Sequence, residues 1–256
     1  MLRRETDNGW ILIPQYDHGL LARDVMKYWG SEGLYRPRDF EEVMFAVCEH
    51  DNGWREWDSH PRTNPENRYP ADFTEMTSEE QASIWSGCFT AHGQSHPYAA
   101  GLIALHFSLF NEKNLQRSPN DTHALQSRSE IKDFVLRTLD IEFSALELVN
   151  LPEPVKSDLR IVQIGDMISL ALCQGWKSFT IDNVPKNKRQ DSLKMELSSS
   201  DGFNYALDPY PFTEPRIELS ITGKRLAGSE FENDGELLNA LKDFSVERLD
   251  FTISIA

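Results

Sequence analysis

An α+β fold is what this sequence predicts: a mostly helical body with an N-terminal β-hairpin and a C-terminal β-rich segment. Three observations carry the prediction. Apolar residues recur at helical spacing between about residues 17 and 175, the period changes from 3.6 to 2 after Gly175, and an Asn8-Gly9 pair separates two short strand-like runs at the N-terminus. The expected organisation is a hairpin over residues 1–14 packed on the C-terminal sheet, a helical body over 15–177, and a β-rich segment with one short helix over 178–256.

Each element has a local reason. The first helix is expected from about Asp17 to Trp29, with Leu20, Leu21, Val25 and Tyr28 on one face and Gly30 and Gly33 stopping it. Pro37 and Asp39 start a second helix that runs to His50, and Gly53 breaks it. Residues 54–76, with Pro61, Pro65 and Pro70, read as a long loop. Its aromatic residues Trp54, Trp57, Tyr69 and Phe73 either wall a pocket or anchor the loop, and we take them as anchors. Thr77 and Glu80 have capping-box spacing and open another helix. Tyr98 to Phe110 is apolar nearly all round, the pattern of a central buried helix. Helices are expected at about 127–149 and 155–175. Strands are expected at 179–181, 193–197, 217–221 and 249–255, with SDGF (Ser200–Phe203) and ITGK (Ile221–Lys224) as turns and LDPYPF (Leu207–Phe212) as a rigid proline-rich turn.

Composition limits the function. The formal net charge is −15, spread along the chain, so a double-stranded nucleic acid is not an expected partner. No apolar run approaches the roughly 18 residues of a membrane span, and the N-terminus lacks the apolar stretch of a signal peptide. Cys48, Cys88 and Cys173 are odd in number and widely spaced. They read as buried free thiols in a reducing compartment, and the expected location is cytoplasmic. The expected partner is a small molecule, with a homodimer allowed.

Several polar residues lie where apolar ones are expected. Asp51 follows Val47 by one helical turn and so points toward the core face. His106 lies inside the most apolar helix. Asp166 shares a helical face with Leu159, Val162 and Cys173. A carboxylate buried there costs several kcal/mol unless something pairs with it, and a divalent cation would supply the missing charge beside the imidazoles.

The segments QYDHG, EHDNGW and IGDMISLA, in that order, resemble the HD-domain superfamily of metal-dependent phosphohydrolases over roughly residues 15–175. The segments EHDNGWREW, HPYAAGLIALHFSLF and LDPYPF resemble an uncharacterised bacterial family grouped with that superfamily, over nearly the whole chain. The resemblance implies a helical HD-type body in which His18, His50, Asp51 and Asp166 ligate a divalent metal (iron, manganese or zinc). In two-metal members, two further histidines lie between the His-Asp pair and the last Asp. His106 fits the later one, and His92 fits the earlier one with His96 as its rival. The chain departs from the two-metal phosphodiesterases in having HDNGW where they have HDxGK, so Trp54 replaces a basic residue that would meet a phosphate.

The function implied is hydrolysis of a small ester or phosphoester by a metal-activated water, with Asp51 at the metal. Asp17 and Glu49 are candidates for moving the proton. Arg55, Arg62 and Arg68 lie in the loop after the motif, and Arg62 is taken to hold the anionic group. An oxygenase with a di-iron site, which needs six ligands, and a non-catalytic ligand-binding module are the alternatives.

Overall fold

The computed structural model describes residues 1–142, 151–187 and 192–256. The expected N-terminal hairpin forms, with β1 (Leu2–Thr6) paired to β2 (Gly9–Ile13) through a two-residue turn, Asp7-Asn8. Gly9 opens β2 at φ +147°, and a Cβ there would lie 2.3 Å from the Leu226 carbonyl oxygen, so only glycine fits.

Eight helices follow among the described residues. They are α1 (Gln15–Met26), α2 (Phe40–Glu49), α3 (Trp54–Ser59), α4 (Ser78–Thr90), α5 (Pro97–Arg117), α6 (Thr122–Leu139), α7 (Val155–Gln174) and α8 (Asp234–Ala240). The capping signals hold. The Asp39 side chain accepts from Glu42 N–H, Thr77 and Glu80 form a reciprocal capping box, and Gly175 takes the left-handed conformation that ends α7. Helix α6 starts five residues earlier than the spacing indicates because Asp121 caps Ala124 N–H. Residues 143–149, the expected end of that helix, lie outside the described residues. The expected long loop 54–76 instead holds α3 and a 3-10 turn at Phe73–Glu75, which Asp72 and Glu75 cap reciprocally. Its aromatics anchor it, with Trp54 buried against Phe73 and Tyr69 tilted against Trp10.

The expectation of a mostly helical body with separate β segments at its ends is wrong. The described residues are 45% helix and 25% strand, and their strands join into one curled, mixed, seven-stranded sheet. Strands β3 (Ser178–Pro185), β4 (Ser192–Ser199), β5 (Asn204–Asp208), β6 (Arg216–Ala227) and β7 (Ser245–Ile255) combine with the hairpin in the order β1-β2-β6-β7-β5-β4-β3. Neighbours are antiparallel except β5 and β7, which run parallel.

Two misread segments account for the error. ITGK lies inside β6, where Gly223 is needed because a Cβ would meet Ile11 Cγ2 at 2.4 Å, so glycine here permits close packing rather than a turn. Leu207 and Asp208 of LDPYPF belong to β5, whose pairing with β7 joins residues almost fifty positions apart and leaves no local trace.

The sheet separates two apolar clusters. Ile11 and Ile13 face the main core beneath α1 and α7, while Trp10 and Leu12 face a smaller one with Leu226, Phe231 and Leu237 of α8. Helices α1 and α7 lie on the sheet, and α2 and α5 pack on α7 in turn. Arg4 of β1 is buried and donates to the Leu172 carbonyl at 2.7 Å, which satisfies an end carbonyl of α7 and fixes that helix to the hairpin.

Candidate metal centre

Four helical segments bring polar side chains to one point in the core. His18 comes from α1, His50 and Asp51 from the end of α2, His106 from the middle of α5 and Asp166 from α7. All five are buried. His18 Nε2 lies 3.2 Å from His50 Nε2, 3.5 Å from Asp51 Oδ2 and 3.2 Å from Asp166 Oδ1. His50 Nε2 is 3.5 Å from Asp51 Oδ2 and 3.6 Å from Asp166 Oδ1, and His106 Nε2 is 3.6 Å from Asp166 Oδ2. Among the described residues, two groups have spacing able to hold a metal ion: His18, His50 and Asp51, and His50, His106 and Asp166.

Second contacts turn the imidazoles inward. A carbonyl can only accept, so His50 Nδ1 carries a proton for Val47 O at 2.8 Å and leaves Nε2 a lone pair. The Ser169 hydroxyl lies 2.8 Å from His18 Nδ1, 2.9 Å from the Gly165 carbonyl and 3.0 Å from that of Asp166, and when it donates to either carbonyl its oxygen accepts from His18 Nδ1–H. With both rings neutral, Nε2 lone pairs would face each other across 3.2 Å, beside two carboxylates. Such an arrangement calls for a cation or shared protons between them, and this donor set of imidazole and carboxylate suits a divalent metal.

The electrostatics agree. Burial alone would lower His50, but Asp51 and Asp166 raise it to about 9. Against burial, Asp166 is driven well below the ordinary carboxylate range by hydrogen bonds to His18 and His50. His106 is lowered to about 4 by burial, so it stays neutral and able to ligate. Its Nδ1 has no partner among the described residues. Because His50 is raised above its unfolded value near 6.5, its proton adds stability below that pH, and the contribution is lost as pH rises through about 9. A cation must displace this proton, so stabilisation by added manganese or zinc should grow from pH 6 to pH 9. Melting temperatures with chelator and with metal at each pH test this. An increment that does not change with pH would reject the coupling.

The other expected residues lie elsewhere. His92 faces Glu49, with Nε2 3.3 Å from Oε2, and His96 pairs with Glu42 at 3.0 Å and stacks on Phe45, so neither joins the two groups. Glu49 also accepts from Tyr16 O–H at 3.1 Å. Asp17 is half-buried, and its carboxyl is raised by burial and then by Asp58. Arg62 donates to Glu80 at 2.8 Å and lies over the Trp57 ring, so it is already engaged. All three cysteines are buried and free. No helix among the described residues is long and apolar enough to cross a membrane.

The sequence reading missed Ser169 and a set of glycines. Gly19, Gly53 and Gly165 lie within two residues of ligand candidates, and each lets a ligand-bearing segment touch its neighbour. A Cβ on Gly19 would lie 2.6 Å from the Cys48 carbonyl oxygen, one on Gly53 2.4 Å from that of Ile84, and one on Gly165 2.9 Å from Met26 Cγ. Asn52 and Gly53 further fix the motif to α4 through the carbonyl and Sγ of Cys88. For Gly19 and Gly165 the signal was available, since glycine inside a helix costs about 1 kcal/mol against alanine and needs a reason.

Helices layered on a curled mixed sheet, with buried imidazoles and carboxylates converging between them, define a protein whose core is able to hold a metal ion. The chain belongs to the DUF3891 family, described as a protein of unknown function, whose model matches residues 1–228. No curated protein and no solved structure matches it.

Proposed function

We propose that this protein is a metal-dependent hydrolase of the HD type, acting on a small ester or phosphoester. One observation carries the reading: His18, His50, Asp51, His106 and Asp166 converge, buried, with two of the imidazoles held inward by Ser169 and Val47. When bound, a divalent cation supplies Lewis-acid polarisation of a substrate oxygen and lowers the pKa of a water. The chain's own residues would do the rest. His18, His50, Asp51 and Asp166 bind the ion, with His106 completing the set. The surrounding core keeps bulk water from the imidazoles. Asp17, with its raised carboxyl, and Glu49 are the groups available to carry a proton away.

The pairing of His92 with Glu49 and of His96 with Glu42 supports one ion over two, and so the hydrolase over the six-ligand oxygenase. Elemental analysis of protein purified without added metal, followed by turnover of p-nitrophenyl phosphate and p-nitrophenyl acetate, tests the reading. Near-stoichiometric manganese or zinc with turnover is the expected result. Iron in a two-to-one ratio with an oxygen-dependent signal would give the site to the oxygenase. No metal, with a small molecule retained, would make the protein a binding module.

A further inference from the structure

We propose that Arg55 is the residue that receives the anionic group of the substrate, and that this substrate is a small oxyanion. The inference rests on the hydrolase reading for the location of the chemistry but on separate observations for the residue. Arg55 lies four residues after Asp51, in the first turn of α3, and its guanidinium stands 3.5 Å from the centre of the Tyr16 ring. Tyr16 is itself fixed, because its hydroxyl donates to Glu49 Oε1 at 3.1 Å, and Glu49 Oε2 meets His92 at 3.3 Å. Tyr16 precedes His18 by two residues and Glu49 precedes His50 by one, so this platform is built on the same helix ends that carry the metal candidates.

The other arginines nearby are engaged. Arg62 is bonded to Glu80, Arg68 is paired with Glu230 and Glu232, and Arg23 is paired with Asp24. Arg55 makes no hydrogen bond or ion pair with any described residue, and its side chain is exposed. A guanidinium stacked face-on to a ring keeps its N–H edge free, and that edge matches the paired oxygens of a phosphate or carboxylate. In a chain of net charge −15, an exposed guanidinium that acts on Asp17 through space but forms no ion pair with any described carboxylate offers an anion local positive charge.

Calorimetric titration tests this with inorganic phosphate and, in a separate arm, acetate, on both metal-loaded and chelator-treated protein. Arg55→Ala should weaken phosphate binding at least tenfold in both forms, Arg55→Lys should weaken it less, and Arg62→Ala should leave it unchanged. Metal content, read by elemental analysis, should not change in any of the three. A larger loss with phosphate than with acetate assigns the oxyanion as a phosphate, and the reverse assigns a carboxylate. Phosphate and acetate binding that Arg55→Ala leaves intact, or wild-type protein that binds neither anion, overturns the proposal. Arg55-dependent binding in a protein that holds no metal would sustain it while removing the metal reading.

Discussion

Asp166→Asn should abolish any binding of a divalent cation at the buried cluster while leaving the helices in place. Among the described residues, Asp166 is the one carboxylate that meets three imidazoles, at 3.2 Å from His18 and 3.6 Å from both His50 and His106. Asparagine keeps the volume but removes the charge that both offsets a cation and fixes the proton load of the histidines. Loss of an outer contact to a metal ligand already costs about 10–100-fold in affinity, and loss of the ligand itself should exceed that. Without metal, the variant should also be less stable than wild type, because a buried pair broken on one side costs about 3–5 kcal/mol. Far-ultraviolet circular dichroism checks the fold and elemental analysis checks the metal. Stoichiometric metal retained by folded Asp166→Asn would remove Asp166 from the site.

Gly19→Ala should destabilise the protein and disturb the centre together. The new Cβ would press on the Cys48 carbonyl oxygen at 2.6 Å, and backbone cannot swing aside as a side chain can. Relief requires α1 to move away from α2, which draws His18 from His50. Overpacking of this kind costs about 1–3 kcal/mol, a fall in Tm of roughly 2–12 °C for a chain near this length. Gly87→Ala is the contrast. It lies inside α4, and its Cβ would meet only Gly53 Cα at an ordinary 3.7 Å. With ordinary helical geometry and space for a methyl group, it should be neutral or stabilise by about 0.4–1 kcal/mol. Equal Tm values for the two variants would show that glycine at position 19 is not set by helix contact.

The helices were legible because their signals are local. Asp39, the Thr77–Glu80 box and Gly175 act within one turn of the residues they cap, and the apolar stripes need only a period. Of the centre, Asp51, His106 and Asp166 were legible as polar groups where the helical pattern wants apolar ones, and the family resemblance added His18 and His50. His92 illustrates the limit. It has a suitable phase on its segment, yet it meets Glu49, because which side chain fills a gap is decided by the distance between helices and not by periodicity.

By itself, then, the chain determined the caps that open α2 and α4 and close α7, and which of its core positions carry charge that must be neutralised. Only the tertiary structure decided that two distant β segments form one sheet, that Gly223 lies within a strand, and that three glycines bring the ligand-bearing segments against their neighbours. The physical reason is range. Capping and periodicity act over a few residues, whereas strand pairing, close helix contact and the convergence of imidazoles on a carboxylate depend on surfaces that exist only once the chain has folded.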